Sequence, residues 1–358
     1  MIDETRGVRQ LSFADLLRRR LVFTVGKGGV GRTTVTLGIA LEAARRGQRV
    51  LVVEIEGARG LEAALATQRG QVHPPAWLDR IEYMMIDGRK ALEEYLGLIV
   101  PVRRLLKTVF SSNVYQYFVA AAPGLKELMA VGKLWYEAEQ RNPTDATGAP
   151  GAHQLVLVDG PATGHSLQYL RMPRAALEAF PAGLVHREAE RVVGLLRDPE
   201  ATGVVVVTLA EEMPTNETFE MVSGLDDLGM HTATLVVNQV HEAPCTRAEL
   251  DGLPIPDVQP IFRSPASRGR GKGAVLDATS ILAEIVARAS EEIGWAEINA
   301  SHVQRLLARI DAPLVKLPYL FNEEFGADEV GRLGAMLAEQ LDARSGAGPA
   351  PRSRGGKS

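Results

Sequence analysis

Cysteine is nearly absent: Cys245 is the one thiol in 358 residues. A single thiol excludes an internal disulfide and any metal site built from several cysteines of one chain, and it suits a reducing compartment such as the cytoplasm. No apolar run approaches the ~20 residues needed to cross a bilayer, so a soluble chain without a transmembrane segment is expected. The stretch "RRRLVFTVGKGG" sets three arginines before an apolar run, as a secretory leader does, but only the five residues "LVFTV" follow before glycines begin. That is too short for a leader and reads as a strand. An excess of positive charge is missing as well. Lys and Arg number 40 against 44 Asp and Glu, which leaves a net charge of −4 and a pI near 6.0. A polyanion or acidic membrane could therefore be met only by a local patch. Of two candidates, "SPASRGRGKG" (264–273) reads as a solvated loop rather than a phosphate contact. "LSFADLLRRR" (11–20), with Ser12 and Asp15 as a helix start, reads as packing on the sheet edge rather than on a membrane surface.

What is present is alternation. Runs rich in Val, Leu and Ile recur at 21–25, 49–54, 154–159, 203–208, 232–238 and 313–318. Near-continuous apolar strands imply burial on both faces, and helical patterns between them predict a doubly wound, mainly parallel α/β sheet. Roughly a hundred residues separate the second run from the third, and segments such as "RKALEEYLGLIVPVRRLLKTVF" and "GLKELMAVGKLWYEAEQ" give them helical character. A helical subdomain is expected at about 60–141, inserted after the second strand. The expected layout is an N-terminal helix and extension over 1–20, one domain over 21–342 with a loop at 142–153, and a disordered tail over 343–358. No internal repeat is found, so one site per chain is encoded.

The chemistry is announced by "FTVGKGGVGRTTVTLGIALEAARRG" (23–47). A strand ending in Val25, glycines at Gly26, Gly28, Gly29 and Gly31 around Lys27 and Val30, and Thr33 and Thr34 opening a helix form the arrangement that cradles phosphates. Glycines let backbone N–H groups approach the oxygens, the helix N-terminus adds a positive dipole, and the Thr33 hydroxyl falls where a magnesium ligand belongs. The strict pattern fails at one position, where Arg32 replaces lysine.

"GKGGVGRTT" resembles the K-G-G-V-G-K-[ST]-[ST] signature of the MinD, ParA and ArsA/Get ATPases. "VDGPATGHSLQYLRMP" (158–173) resembles the ArsA/Get block containing switch II. "PGLKELMAVGK" (123–133), "LVVNQV" (235–240) and "LPYLFNEEFG" (317–326) are similar to further blocks of that family, in order along the chain. The resemblance implies a P-loop ATPase that binds ATP and Mg2+ and works as a dimer. Under it Lys27 reaches the partner subunit's phosphates. Asp159 helps to hold the magnesium shell with Thr33, Asn238 reads the adenine edge, and Pro318 lies on the nucleotide side. Gly164 and His165 belong to the segment that moves with the γ-phosphate, His165 as a switch-helix residue rather than a proton carrier.

Two departures qualify that picture. The family's switch I aspartate is replaced by Glu56 and the following proline by Gly57. The added methylene moves the carboxylate by ~1.5 Å if the backbone is unchanged, a displacement that can cost about 100-fold in rate. Glu54, two residues earlier on the strand, could take part instead. Arg32 substitutes a planar fork for the compact lysine charge, which threatens transition-state geometry more than nucleotide affinity. Slow hydrolysis, with Lys27, Arg32 and Glu56 as its catalytic groups, is expected over none. The partner would be a second copy or a lysine-bearing relative, together with an unknown protein client; no stable nucleic-acid partner is expected. The single Cys245 supports neither a metalloid site nor the C-x-x-C zinc site of tail-anchor targeting factors, and Met129 alone in the 86–141 interval gives no methionine-rich client groove.

Overall fold

A computed structural model of the chain describes residues 11–56, 60–70, 75–99, 124–139, 153–161, 165–252, 278–322 and 326–346. Its centre is a parallel sheet of seven strands: β1 (Leu21–Val25), β2 (Val50–Ile55), β3 (Ile81–Ile86), β4 (Leu155–Asp159), β5 (Thr202–Leu209), β6 (Thr232–Val240) and β7 (Leu314–Pro318). They lie in the order β3-β2-β4-β1-β5-β6-β7, and every pairing is parallel. This is the α/β architecture of P-loop NTPases. The strands up to β4 lie on one side of β1 and β5 to β7 on the other, so the strand order reverses at β1 and the crevice above its carboxyl end is the switch point where such sheets take ligands.

The apolar runs explain the layers. Along β1, Leu21, Phe23 and Val25 enter one core and Val22 the other, as strand alternation requires. One face is covered by α5 (Leu125–Glu139), α6 (His165–Ala179), α7 (Leu184–Arg197), α8 (Glu212–Leu228) and the distal part of α10 (Ala278–Arg309). The other is covered by α1 (Phe13–Arg18), α2 (Arg32–Arg45), α3 (Gly60–Arg69) and α11 (Ala327–Arg344). Two further α-helices, α4 (Gly88–Ile99) and α9 (Arg247–Asp251), and a 3-10 helix (Ala76–Arg80) complete the described set.

Three details differ from the sequence-based expectation. "IEYMMI" (81–86), inside the interval expected to be helical, is the edge strand β3, paired with β2 alone and buried fully only at its two ends. Helix α1 has the Ser12 and Asp15 capping box that the sequence suggests. It packs on α11 rather than on the sheet edge: the Phe13 N–H donates to Asp342 Oδ1 at 3.0 Å, and the Arg46 guanidinium lies 4.7 Å from the Phe13 ring centroid. Helix α11 runs on to Arg344, slightly past the expected domain end. Most of the 142–153 loop, the basic stretch 264–273 and all of the tail after 346 lie outside the described residues. No described helix is long and apolar enough to cross a membrane.

Candidate functional site

Strand β1 delivers the chain into Gly26, Gly29 and Gly31, all with φ in or at the border of the left-handed region, at 155°, 87° and 87°. Gly28 and Gly29 are exposed at the tip, whereas Val30 is buried. Helix α2 starts at Arg32 behind Gly31, with no side-chain cap and no acidic residue in its first turn. Its N–H groups and positive dipole end, with Thr34 half-buried in that turn, therefore face the crevice without a side-chain cap. That is an anion-binding geometry.

The loop is braced from β6. Buried Asn238 donates from Nδ2 to the Val30 carbonyl at 3.0 Å, and a Cβ on Gly31 would overlap that same nitrogen. Beyond Asn238, Gln239 adopts a left-handed φ of 54°, and the register of β6 on β7 shifts between Val237 and Val240. Glu56, with φ 47°, is the other non-glycine residue in this region among the described residues. Both lie at carboxyl ends of strands flanking the loop, where stored strain is commonly functional.

Asp159 ends β4, beside Thr24 of β1 and Glu54 of β2 in register. Its Oδ2 accepts from the Thr33 hydroxyl at 2.7 Å. Its Oδ1 is buried and has no hydrogen-bond partner among the described residues. Burial, first, pushes the Asp159 carboxyl above the ordinary range, and nearby Glu54 adds to this; the Thr33 bond and the Arg32 charge oppose it. A buried carboxylate with a spare oxygen, bonded through its other oxygen to a threonine hydroxyl, fits a hydrated magnesium ion, a hard cation held through few protein oxygens. Glu54 is equally buried but accepts from the Tyr83 hydroxyl at 3.1 Å. No group of three or more potential metal-ligating side chains occurs among the described residues, so a dedicated protein cage is not what this site offers.

Arg32 is buried and turns toward the segment after β4. Its Nη1 donates to the backbone carbonyls of Gly160 and of Pro161, the latter at 2.7 Å. Ser166 Oγ donates to the same Pro161 carbonyl at 2.7 Å. Burial lowers the Arg32 ionisation and Asp159 raises it again, and guanidinium remains charged in any protein setting. The P-loop position that usually carries a phosphate-directed lysine here ties α2 to the segment after β4. Lys27 is likewise engaged within its own chain, by an ion pair to Glu217 of α8.

Glu56 is exposed at the end of β2, separated from the glycine loop by β4. Its N–H donates to the Ile86 carbonyl at 3.1 Å, and its carboxylate neighbours the Tyr169 phenol of α6. Burial and the neighbouring carboxylates push the Tyr169 ionisation far up, so the phenol stays a donor at neutral pH. Gly57, Gly164 and the switch segment 162–164 lie outside the described residues.

Pro318 sits opposite Val240 in the β6–β7 pairing, two residues on from Asn238 along β6. Sequence reasoning missed the rings beside it. His241 stacks on Tyr319 at 5.0 Å and on Trp295 at 5.8 Å, and Phe321 meets Tyr319 at 4.7 Å. The signal was the aromatic pair in "PYLF" directly after Pro318; His241 and Trp295 come from distant segments and carried none.

The site thus joins the glycine loop, Thr33, Arg32, Asp159 and Asn238 in one crevice, with Glu56 and Pro318 on opposite flanks. The family model of the anion-transporting ATPases matches residues 19–184 and 178–249, the part of the chain that carries this crevice. Among relatives, the ATPase BagA of Mycobacterium tuberculosis is 29% identical over 234 residues, which are 62% of this chain and 65% of the relative's length. The ATPase get3 of Schizosaccharomyces japonicus is 24% identical over 259 residues, covering 63% and 76%. A putative arsenical pump-driving ATPase of Aquifex aeolicus is 21% identical over 333 residues, covering 89% and 78%. Carried by the glycine loop and the strands around it, this chain belongs to the anion-transporting ATPase family typified by ArsA.

Proposed function

We propose that the chain is an ATP-driven switch: it binds magnesium-ATP in the crevice above β1, closes face to face on a second copy or a related chain, and reopens after slow hydrolysis. The observation that carries this is the uncapped start of α2 behind the glycine loop, next to the Thr33 and Asp159 pair with its unpartnered oxygen. In this reading the loop N–H groups hold the phosphates, and Thr33 and Asp159 hold Mg2+ directly and through water. The ion supplies charge neutralisation on the phosphate oxygens. Glu56 orients the attacking water and accepts its proton, with Tyr169 fixing the carboxylate. Asn238 and Pro318 border the base. Switch II, tied to Arg32, transmits phosphate occupancy to α6 and onward to a protein client. A cytoplasmic location accords with the single thiol.

A second reading is favoured by one observation. Because Arg32 is engaged with switch II carbonyls rather than aimed at the loop, the chain could bind nucleotide with little turnover and serve as the less active half of a mixed dimer. Phosphate release from magnesium-ATP by the purified chain, with Glu56→Ala as the blank for contaminating ATPases, separates the two. Turnover that disappears in the blank supports the switch enzyme. Turnover no higher than the blank, with nucleotide still bound, supports the binding module. Absence of nucleotide binding overturns both.

A further inference from the structure

The family resemblance asks Lys27 to serve a partner's phosphates, yet in this chain its ammonium is held at home. It pairs with Glu217 on α8, and neither side chain is deeply buried, at 37% and 34% exposed. Three features distinguish the contact from an incidental surface pair. The second oxygen of Glu217 is buried without a hydrogen-bond partner among the described residues, so Lys27 is the charge that compensates this carboxylate. The pair borders a cavity of about 170 Å³ between the glycine loop and α8, lined in part by Gly26, Val30, Thr208 and Thr218, which leaves room for the lysine to swing. Glu220 lines the same cavity, so departure of Lys27 would leave two carboxylates facing any phosphate that approaches.

We propose that Glu217 is a positioning residue that keeps Lys27 retracted in the nucleotide-free chain and so sets the nucleotide level at which two chains close. The inference rests on the face-to-face reading given above. Glu217 touches no phosphate. Its effect passes through Lys27: closure must break the pair, and the released carboxylate then opposes incoming negative charge. Loss of the pair should therefore favour the closed state. An exposed or half-exposed pair is a modest lever, so the effect per protomer should be about two- to fivefold.

The test is sedimentation of the full chain titrated with magnesium and a non-hydrolysable ATP analogue, reading the nucleotide concentration at half-dimerisation. Glu217→Gln should lower that concentration about two- to fivefold, and Glu217→Asp should bring it back toward wild type. In a Lys27→Ala background the Glu217→Gln shift should shrink to the part owed to the carboxylate alone. A half-point that Glu217→Gln leaves unchanged or raises overturns the proposal, as does a shift of equal size in the Lys27→Ala background, which would assign Glu217 a bulk charge effect only. Glu217→Ser provides the same readout should glutamine disturb α8. If wild type and every variant bind the analogue yet none dimerises, the face-to-face reading falls first and the gate with it; dimerisation by Glu217→Gln alone supports both.

Discussion

Arg32 shows how a single side chain can redirect a motif. Its guanidinium reaches two carbonyls of the segment after β4 through the one nitrogen Nη1, at the end of a planar side chain whose geometry differs from that of a lysine. Replacing it by lysine removes that tie and returns a compact charge to the loop. Arg32→Lys should raise single-turnover hydrolysis by about tenfold or more, within the range that a well-placed transition-state donor supplies; a rate no faster than wild type would show that Arg32 is not what limits the chemistry. Asp159 gives a pH signature. Its carboxyl is raised above the ordinary ~3.9 mainly by burial, so on acidification it takes up a proton earlier than a free aspartate does. Magnesium-dependent nucleotide affinity should fall through that raised value, while nucleotide affinity without magnesium changes little. For folding the sign is opposite: the proton is bound more tightly in the native state, so this group's contribution is favourable at low pH and lost as pH rises through the raised value. Calorimetric titration at several pH values, with Asp159→Asn as control, checks the binding claim. Gly26, Gly31, Thr33 and Asp159 were legible in the sequence because loop, helix start and strand end are local. The partners of Arg32, Lys27 and Asn238 lie 128, 190 and 208 positions away, and no local pattern encodes them.

At the level of elements, close backbone approaches decide what can change. Where α2 crosses α11, a Cβ on Gly334 would overlap the backbone of Gly38. Alanine ordinarily gains up to ~1 kcal/mol over glycine inside a helix, but overpacking against backbone, which cannot yield as a side chain does, costs about 1–3 kcal/mol. Gly334→Ala should therefore be net destabilising in denaturant unfolding. Gly132→Ala and Gly194→Ala, in helices with open space at the added carbon, should instead stabilise by about 0.4–1 kcal/mol. Gly31→Ala combines a left-handed φ with overlap on Asn238, and nucleotide affinity should drop along with stability. Six of the seven strands were readable as apolar runs. The seventh, β3, was not, because an edge strand needs less apolar surface: Glu82 is exposed, and the residues that follow it are only partly covered. Its short run sits between two helical patterns that dominate any local window.

The whole molecule is organised so that the nucleotide crevice depends on both ends of the described chain. Helix α2, which opens at the phosphate loop, is packed by α11, and Asp342 of α11 holds both the Phe13 N–H and the Arg46 guanidinium, each at 3.0 Å. Magnesium-ATP should consequently raise the unfolding midpoint of the entire domain rather than of a local segment, in proportion to the logarithm of its concentration. Differential scanning across a nucleotide series checks this. A midpoint that stays fixed while nucleotide is demonstrably bound would mean that the crevice unfolds on its own.

That clasp has a consequence for the order in which the protein matures during synthesis. The phosphate loop leaves the ribosome well before α11 (Ala327–Arg344), the helix that buttresses α2, so a nascent chain carries its nucleotide motif long before that motif has its support. Affinity for ATP should switch on only once α11 has emerged and packed on α2, which separates the making of the phosphate loop from its competence.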